Sequence, residues 1–284
     1  MDIDIFTQIR LQFNNFTKAE KKVGEFVLNN PKDVLYMSIT DLAEKCNVGD
    51  TSVFRFCKTL NLKGYQDFKM MLAQGLTSDT EEAQPLSDKI SQDDSTLDVA
   101  KKVLHTNLNA LNETFDLIKT DDIDEAVKLM LKAKRIVFFG VGTSMVTAME
   151  ATNKFMRITP KVEFINDSHL QSMRAALLTP DDVAIAISYS GSTKDTIEVV
   201  DIAKQRGAKI ICITRFIKSP LTAHSDITLL CGANEGPLQG GSLSAKLSQL
   251  YLLDLLYAEY FKHSYDNSKL NKELTSEAVS EKLY

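Results

Sequence analysis

The carboxyl-terminal half of the chain alternates short apolar runs with segments of helical periodicity. Of all the features of the sequence, this alternation most restricts the folds that the chain can adopt. The runs are rich in Val, Ile and Phe and read RIVFFG, KVEFI, DVAIAIS, KIICIT and DITLL, between residues 135 and 230. Apolar runs without polar alternation indicate strands that are covered on both faces. We therefore predict an α/β domain with a five-stranded parallel sheet flanked by helices.

The first 77 residues predict an all-α domain, because no strand-like alternation occurs there. Thr17 and Glu20 form the pattern of a capping box at the start of one helix, and Pro31 follows the end of that helix. Ser38 can cap a later helix, and the turn NVG at 47–49 separates it from a second one. This helix pair has the anatomy of a helix-turn-helix. The residues expected to point inward are Leu42, Ala43, Val53, Phe56, Cys57 and Leu60.

The outward face of the second helix of this pair carries side chains that suit DNA. Hydroxyls and an aromatic ring can contact base edges and thymine methyl groups, and cations can contact phosphates. An ordinary antiparallel helix pair, with the cations in solvent, is the alternative reading of the same spacing. The residues assigned to DNA contacts are Thr51, Ser52, Phe54, Arg55, Lys58 and Lys63.

Length, charge and cysteine usage set the broad class. A chain of 284 residues suits two domains. The net charge of −5 argues against a basic coat for nonspecific nucleic-acid binding. Four scattered cysteines without C-x-x-C spacing indicate neither a metal site nor a disulfide framework, and no apolar run is long enough to span a membrane. We expect a cytoplasmic protein without a metal or cofactor.

Two loops at the ends of predicted strands can hold an anion. SYSGST follows the strand run that ends at residue 187, and GVGTS follows the run that ends at residue 139. A helix that begins after such a loop offers free backbone N–H groups and the positive end of its dipole. No lysine of the P-loop type is present, so a single phosphate is favoured over a nucleotide. The residues assigned to this site are Gly142, Ser144, Ser188, Ser190, Gly191, Ser192 and Thr193.

The segment SITDLAEKCNV…VFRFCKTLNLKGYQDFK resembles the amino-terminal domain of the RpiR family of bacterial sugar-phosphate-responsive regulators. Family members usually carry a serine where Gly49 stands and a glycine where Asn61 stands. We expect Asp50 to replace the lost helix cap, and Asn61 to adopt the left-handed conformation that the end of the helix requires.

The segments IVFFGVGTS, NDSHLQSMRA, SYSGSTKDTIEVV and SPLTAHSDITLL resemble the sugar isomerase (SIS) domain, a phosphosugar-binding α/β fold. The resemblance implies a flavodoxin-like strand order, phosphate contacts from the hydroxyls of both loops, and sugar contacts near His169 and the start of the last long helix. It adds His169 and Lys246 to the effector-binding residues, although family regulators often have arginine where Lys246 stands. Glu235 is assigned to the same site because it is an acid in a predicted loop at the ligand edge of the sheet.

The predicted organisation is a helix-turn-helix domain at 1–77, a polar linker at 78–95, an SIS domain with a leading helix at 96–265, and a tail at 266–284. The leading helix, 96–118, places Val99, Val103, Leu104, Leu108, Leu111, Phe115 and Ile118 at helical spacing, and we expect this face to pack on the second domain or on a partner subunit. Apolar helices such as 247–261 are expected to join SIS domains into a homodimer or homotetramer.

These features together predict a regulator of sugar-metabolism genes that binds a phosphorylated sugar and a double-stranded DNA operator, which is expected to be palindromic. No acid/base pair stands out, so no catalytic residue is assigned; Glu235 and His169 are the candidates if the protein is instead a sugar-phosphate isomerase with an appended helical domain. A phosphosugar-binding accessory subunit that does not bind DNA is the third alternative.

Overall fold

A computed structural model describes residues 4–76, 90–233, 243–280 and 282. The chain divides by its contacts into two units, Met1–Leu108 with Asn234–Ser242 and Asn109–Ala233 with Leu243–Tyr284. The division falls inside one helix, Thr96–Asp116. The domain limits given above remain predictions, and most of the proposed linker, residues 78–89 of 78–95, lies outside the described residues.

The described part of the amino-terminal unit is helical. Its elements are α1 (Ile5–Gln12), a 3₁₀ turn (Phe13–Asn15), α2 (Lys18–Asn29), α3 (Pro31–Val34), α4 (Ile39–Lys45), α5 (Asp50–Thr59), α6 (Tyr65–Gly75) and the first part of α7 (Thr96–Asp116). The helix-turn-helix is the pair α4 and α5, as predicted.

Helix caps define where these elements begin. The hydroxyl of Thr17 accepts from the Glu20 amide while the Glu20 carboxylate accepts from the Thr17 amide, which confirms the predicted capping box. Ser38 forms a second capping box at α4, with Asp41 as its partner. The expectation that Asp50 caps α5 is wrong: the N-cap residue is Gly49, which offers no side-chain cap, and the Asp50 carboxylate instead accepts from the Thr40 hydroxyl at 2.8 Å.

The core of the amino-terminal unit consists of the predicted inward residues and their neighbours. All six predicted inward positions are buried, from Leu42 to Leu60. Asn61 ends α5 with φ 62°, which confirms the left-handed conformation expected of it. Aromatic rings fill the centre, with Phe56 contacting both Phe16 and Phe68.

The carboxyl-terminal unit alternates helices and strands. In chain order they are α8 (Thr120–Lys132), β1 (Arg135–Phe139), α9 (Thr143–Phe155), β2 (Val162–Phe164), α10 (Ser168–Ala176), β3 (Asp182–Ile187), α11 (Lys194–Gln205), β4 (Lys209–Thr214), a 3₁₀ turn (Thr222–His224), β5 (Ile227–Leu230), α12 (Leu243–His263) and α13 (Tyr265–Ser280).

The five described strands form one parallel sheet in the order β2-β1-β3-β4-β5, which confirms the predicted fold. Successive strand residues point to opposite faces, and both faces are covered. Ile136 and Phe138 pack against α8, α9 and α12 on one side, and Val137 and Phe139 pack against α10 and α11 on the other. This two-sided burial explains why the strands are continuous apolar runs.

Much of the predicted apolar face of the leading helix α7 does not pack on the carboxyl-terminal unit, and its packing on a partner subunit stays a prediction. The helix ends at Asp116, before Ile118, and Leu104, Leu108 and Phe115 are 58%, 46% and 65% exposed. Its buried residues are Ala110 and Thr114, on a different face. Small residues there allow the backbone of α7 to approach the sheet unit closely, which apolar periodicity does not reveal.

The expectation that the apolar helix 247–261 joins subunits stays a prediction, and part of this helix is already used within one chain. Leu252, Leu253, Leu256 and Tyr260 of α12 are buried in the core of the carboxyl-terminal unit itself. The predicted tail forms α13, and Asn271 there donates to the carbonyl of Ile158 at 2.9 Å. In the part of the chain that the structure describes, no helix is both long and apolar enough to cross a membrane.

Candidate effector site and nucleic-acid interface

The carboxyl ends of β1 and β3 meet at the point where the strand order reverses. β1 lies between β2 and β3, so the connection after β1 runs to one side and the connection after β3 runs to the other. The two connections diverge there and leave a crevice, which is where open α/β sheets bind ligands. Both predicted hydroxyl loops lie at this edge.

The loop after β1 leads into α9 without a side-chain cap. Gly142 precedes the helix with φ 59°, a conformation that residues with a side chain rarely adopt. Ser144 follows in the first turn and is buried. The N-cap residue has no side chain to accept from the first turn of α9, and among the described residues only the Met145 amide there donates to the backbone, at 3.2 Å to the Gly142 carbonyl, so the start of the helix can receive an anion.

The loop after β3 has the same construction. Thr193 is the residue before α11, yet its hydroxyl lies 3.1 Å from the Ser188 hydroxyl and does not cap the helix. The Ser190 hydroxyl oxygen accepts from the Ser192 amide at 3.2 Å, so its hydrogen is left for another acceptor. The Ser192 hydroxyl donates to the Ser190 carbonyl. The loop can therefore donate to an anion from Ser190 and from one hydroxyl of the Ser188–Thr193 pair.

Gly191 is required by the chain itself. It has φ 59°, and a Cβ added there would lie 2.2 Å from the Ser219 hydroxyl oxygen. Its carbonyl accepts from the Leu221 amide at 2.9 Å. The loop after β4 is thus packed directly on the loop after β3, and this contact fixes Gly191 whether or not a ligand also approaches it.

Two buried polar atoms next to this edge have no hydrogen-bond partner among the described residues: Oε1 of Gln171 and Oγ1 of Thr196. Gln171 lies in α10 and donates through Nε2 to the carbonyls of Gly140 and Ile165, so it joins the loops after β1 and β2. Thr196 lies in the first turn of α11. Buried polar atoms without partners are uncommon and indicate a missing partner.

The three remaining effector candidates are placed differently. His169 is exposed in the first turn of α10, a helix that Asp167 caps through the Leu170 amide. Lys246 is half-buried in the first turn of α12. Glu235 lies outside the described residues. His169 and Lys246 begin helices at the ligand edge, but the described geometry does not join them to the hydroxyl loops through a hydrogen bond.

Sequence reasoning missed a polar cluster at the ends of β4 and β5. Arg215 follows β4 and its guanidinium lies 2.6 Å from the Glu113 carboxylate on α7. The Tyr189 hydroxyl, between the two site serines, donates to the Ala233 carbonyl at 2.7 Å. Arg215 directly follows the apolar run KIICIT, so its position at a strand end was a usable signal.

The candidate DNA interface is the outward face of α5. Thr51, Arg55 and Lys58 are exposed, Ser52 is partly exposed, and Phe54 is 43% exposed. Because Val53, Phe56 and Cys57 hold the opposite face in the core, the outward side chains project from a fixed helix.

Phe54 and Lys58 support each other on this face. The Lys58 ammonium lies 5.3 Å from the centre of the Phe54 ring and donates to the Lys63 carbonyl at 2.9 Å. The ring also lies against Gly64, where an added Cβ would be 3.5 Å from it. The exposed Lys63 therefore lies beside the end of α5, next to the other candidate contacts.

A buried lysine holds the segment that precedes α4. Lys69 is 5% exposed, and its ammonium and the Tyr65 hydroxyl both donate to the Met37 carbonyl, at 3.1 and 3.2 Å. Burial lowers the pKa of Lys69 to about 8. Lys69 lies between the buried Phe68 and Leu72 on α6, so helical periodicity alone could have placed it inward.

A helix-turn-helix and a doubly wound parallel sheet together define a DNA-binding transcriptional regulator that carries an α/β domain of the kind that binds ligands. The family model described as "Helix-turn-helix domain, rpiR family" matches residues 3–79, and the SIS domain model matches residues 129–259. An uncharacterized HTH-type transcriptional regulator of Haemophilus influenzae is 37% identical over 98% of this chain and 97% of its own length. The chain therefore belongs to the rpiR family of helix-turn-helix transcriptional regulators.

Solved structures agree with this assignment. Vibrio vulnificus NanR, in complex with ManNAc-6P, is 29% identical and covers 99% of both chains with a TM-score of 0.86. The sugar isomerase domain of an RpiR transcription factor from Sphaerobacter thermophilus covers 63% of this chain and 98% of its own with a TM-score of 0.58. At 20% identity, that second likeness shows the fold.

Proposed function

We propose that this regulator binds a phosphorylated sugar in the crevice between the loops after β1 and β3, and that the sugar changes its affinity for operator DNA. One observation carries the proposal: α9 and α11 begin at neighbouring strands, and neither has a side-chain cap. Two helix starts and the hydroxyls of Ser144, Ser188, Ser190 and Thr193 can share the oxygens of one phosphate. The identity of the sugar ligand of NanR supports a hexose-type phosphate.

The binding proposal is tested by thermal unfolding against a panel of sugar phosphates that begins with ManNAc-6P. A ligand that binds only the folded form raises the melting temperature by mass action. We expect Ser190→Ala to reduce the shift by most of its size. Ser280→Ala is the matched control, because that hydroxyl lies on α13 and donates to the Glu277 carbonyl of the same helix. An undiminished shift in Ser190→Ala would count against this site.

We propose that α5 reads the operator, with Phe54 against a thymine methyl and with Arg55, Lys58 and Lys63 near phosphates or bases. Thr51 and Ser52 lie in the first turn of α5, where recognition helices contact base edges. Selection of duplexes from a random library with the full-length protein identifies the operator. A palindromic consensus supports a dimer that places two recognition helices about one DNA turn apart.

A homodimer is proposed as the working form, acting in the cytoplasm on genes of sugar metabolism. Leu170 and Met173 of α10 and Leu177, the residue that ends this helix, are 49%, 62% and 66% exposed, and clustered exposed apolar residues favour a protein contact. Light scattering measures the assembly, and Met173→Glu is expected to lower its mass. An unchanged mass in this variant would move the contact to another face.

Sugar-phosphate isomerisation is the second candidate, because His169 is exposed at the ligand edge where a proton acceptor would be needed. We propose sensing without catalysis, since the described loops supply hydroxyls and no paired carboxylates. Incubation with ManNAc-6P and related sugar phosphates in D₂O distinguishes the two: an isomerase exchanges the proton next to the carbonyl, and a receptor leaves it in place. Loss of that exchange in His169→Ala would identify the base.

A further inference from the structure

The buried residues of helix α7 lie in one turn, and this turn packs on the carboxyl-terminal unit. The helix has 21 residues, and the ones that are buried, Ala110 and Thr114, lie four residues apart. The Ser248 hydroxyl on α12 donates to the Ala110 carbonyl at 3.2 Å. The amino-terminal part of the same helix, up to Leu108, belongs by its contacts to the other unit.

The strand ends that this turn contacts are those beside the candidate effector site. The Gly232 amide, just after β5, donates to the Thr114 hydroxyl at 2.9 Å. A Cβ on Gly232 would lie 2.5 Å from the Ala110 carbonyl oxygen and 2.7 Å from the Thr114 nitrogen, so only glycine fits. The contact is therefore between the two backbones and leaves no room for sliding.

Glu113 joins two of these ends at once. One carboxylate oxygen lies 2.6 Å from the Arg215 guanidinium after β4, and the other accepts from the Ala233 amide at 3.1 Å. Ala233 has φ 75°, an uncommon conformation for alanine, and the surrounding hydrogen bonds maintain it. The Tyr189 hydroxyl donates to the carbonyl of this same residue.

A continuous set of hydrogen bonds thus leads from the loop after β3 to α7. Tyr189 lies between Ser188 and Ser190, and its carbonyl accepts from the Arg215 amide at 3.0 Å and from the Thr214 hydroxyl at 3.1 Å. If an anion shifts the Ser188–Ser190 backbone, Tyr189 moves with it. Because Tyr189 is hydrogen-bonded to Ala233 and Arg215, and both of these contact Glu113, the shift displaces Glu113. We propose that Glu113 is a positioning residue that couples occupancy of the effector site to operator binding through α7; this rests on the proposed function.

The test compares the operator affinity of full-length protein with and without saturating ManNAc-6P, because the ratio of the two affinities measures coupling. Glu113→Gln keeps the shape of the side chain and removes its charge. We expect a wild-type ratio of about tenfold or more to fall below about threefold in Glu113→Gln, while the sugar still raises the melting temperature. Glu125→Gln on α8 is the control, since its carboxylate pairs within one turn, 3.9 Å from Lys128.

If Glu113→Gln keeps the wild-type ratio of operator affinities with and without the sugar, Glu113 does not couple the two sites. The double variant Glu113→Arg with Arg215→Glu restores an ion pair of reversed sense, and part of the lost ratio should return, which a merely structural role does not require. If operator binding by the wild type ignores the sugar, the proposed function fails for that sugar.

Glu113 is then judged by a measurement that needs no sugar. In Glu113→Gln we expect faster hydrogen exchange at the amides of 110–116 and at Ala233, together with an altered operator affinity. Unchanged exchange and unchanged affinity would overturn the coupling, whatever the effector proves to be. Should Glu113→Gln fold poorly, Arg215→Lys, which keeps the charge but loses the planar guanidinium, replaces it with the same expected results.

Discussion

The ten residues of α5 include both core side chains and solvent-facing side chains. Phe54 and Phe56 are two residues apart, yet Phe54 is exposed and Phe56 is buried. At the sheet edge, the polar groups of the candidate effector site come from loops that are far apart in the sequence and that pack on one another. Gly191 against Ser219 and Gln171 between two loops are examples. On α5, different side chains therefore serve the proposed DNA contact and the stability of the fold. At the sheet edge, the same residues serve both the candidate effector site and the stability of the fold.

The sharpest test of separability on α5 is the pair Phe56→Ala and Phe54→Ala. Phe56 is fully buried, and its loss leaves a cavity, so we expect the amino-terminal unit to lose about 3–5 kcal/mol of unfolding free energy. Phe54→Ala should cost less than about 1 kcal/mol and instead weaken operator binding. Urea unfolding and a DNA-binding titration measure the two effects. Unchanged operator affinity in Phe54→Ala would dispose of its proposed base contact.

The corresponding test at the sheet edge is Gly191→Ala. The new Cβ would collide with Ser219 in a left-handed backbone conformation, so we expect a loss of about 2–4 kcal/mol together with loss of the sugar-induced thermal shift. Gly49→Ala is the control, because nothing lies within 4 Å of its added Cβ. Adding Ser219→Gly should recover part of the stability. A Gly191→Ala protein of normal stability that fails to bind sugar would show that the two properties are separable here as well.

The next effect concerns the charge on α5. Arg55→Gln removes one exposed cation, so operator affinity should fall by about 1–3 kcal/mol if Arg55 contacts a base, and the salt dependence should lose about one unit of slope if it contacts a phosphate. Arg206→Gln, exposed at the end of α11, is the control. Titrations at several salt concentrations decide between the two contacts. If neither the operator affinity nor its salt dependence changes, Arg55 is not part of the interface.

The smallest effect is a pH dependence within the amino-terminal unit. Burial raises the pKa of Glu20, but hydrogen bonds from Thr17 and Thr59 outweigh burial and leave the pKa below its ordinary value of 4.5. Since the folded-state pKa is the lower one, this stabilisation is full above the unfolded-state pKa and is lost as the pH falls through the folded one.

Thr59→Val removes the hydroxyl that donates to Glu20 at 2.9 Å, and we expect a loss of about 1 kcal/mol at pH 7 that shrinks towards pH 3. Thr275→Val on α13, whose hydroxyl donates to backbone carbonyls, should show no such trend. Urea unfolding at several pH values checks both. A loss in Thr59→Val that is equal at pH 3 and pH 7 would contradict the assignment.

The same contrast explains what could be predicted from the sequence. Helical period and strand runs are local signals, so the faces of α4 and α5, the capping box at Thr17 and the five strands were all predictable. The packing face of α7 was not, because small residues such as Ala110 pack there and the larger apolar side chains face solvent. The hydroxyl loops were predictable as strand ends, but the pairing of Glu113 with Arg215, which joins a helix to a distant strand, carries no local signal.

The side-chain amide of Gln171 donates to the carbonyls of both Gly140 and Ile165, so the segments after β1 and β2 are linked and a change in one affects the other. Redesign of this regulator into a sensor for another metabolite cannot transplant the 140–144 segment alone, since a foreign backbone path there would leave the amide without an acceptor. The smallest exchangeable cassette comprises both segments and the first two turns of α10.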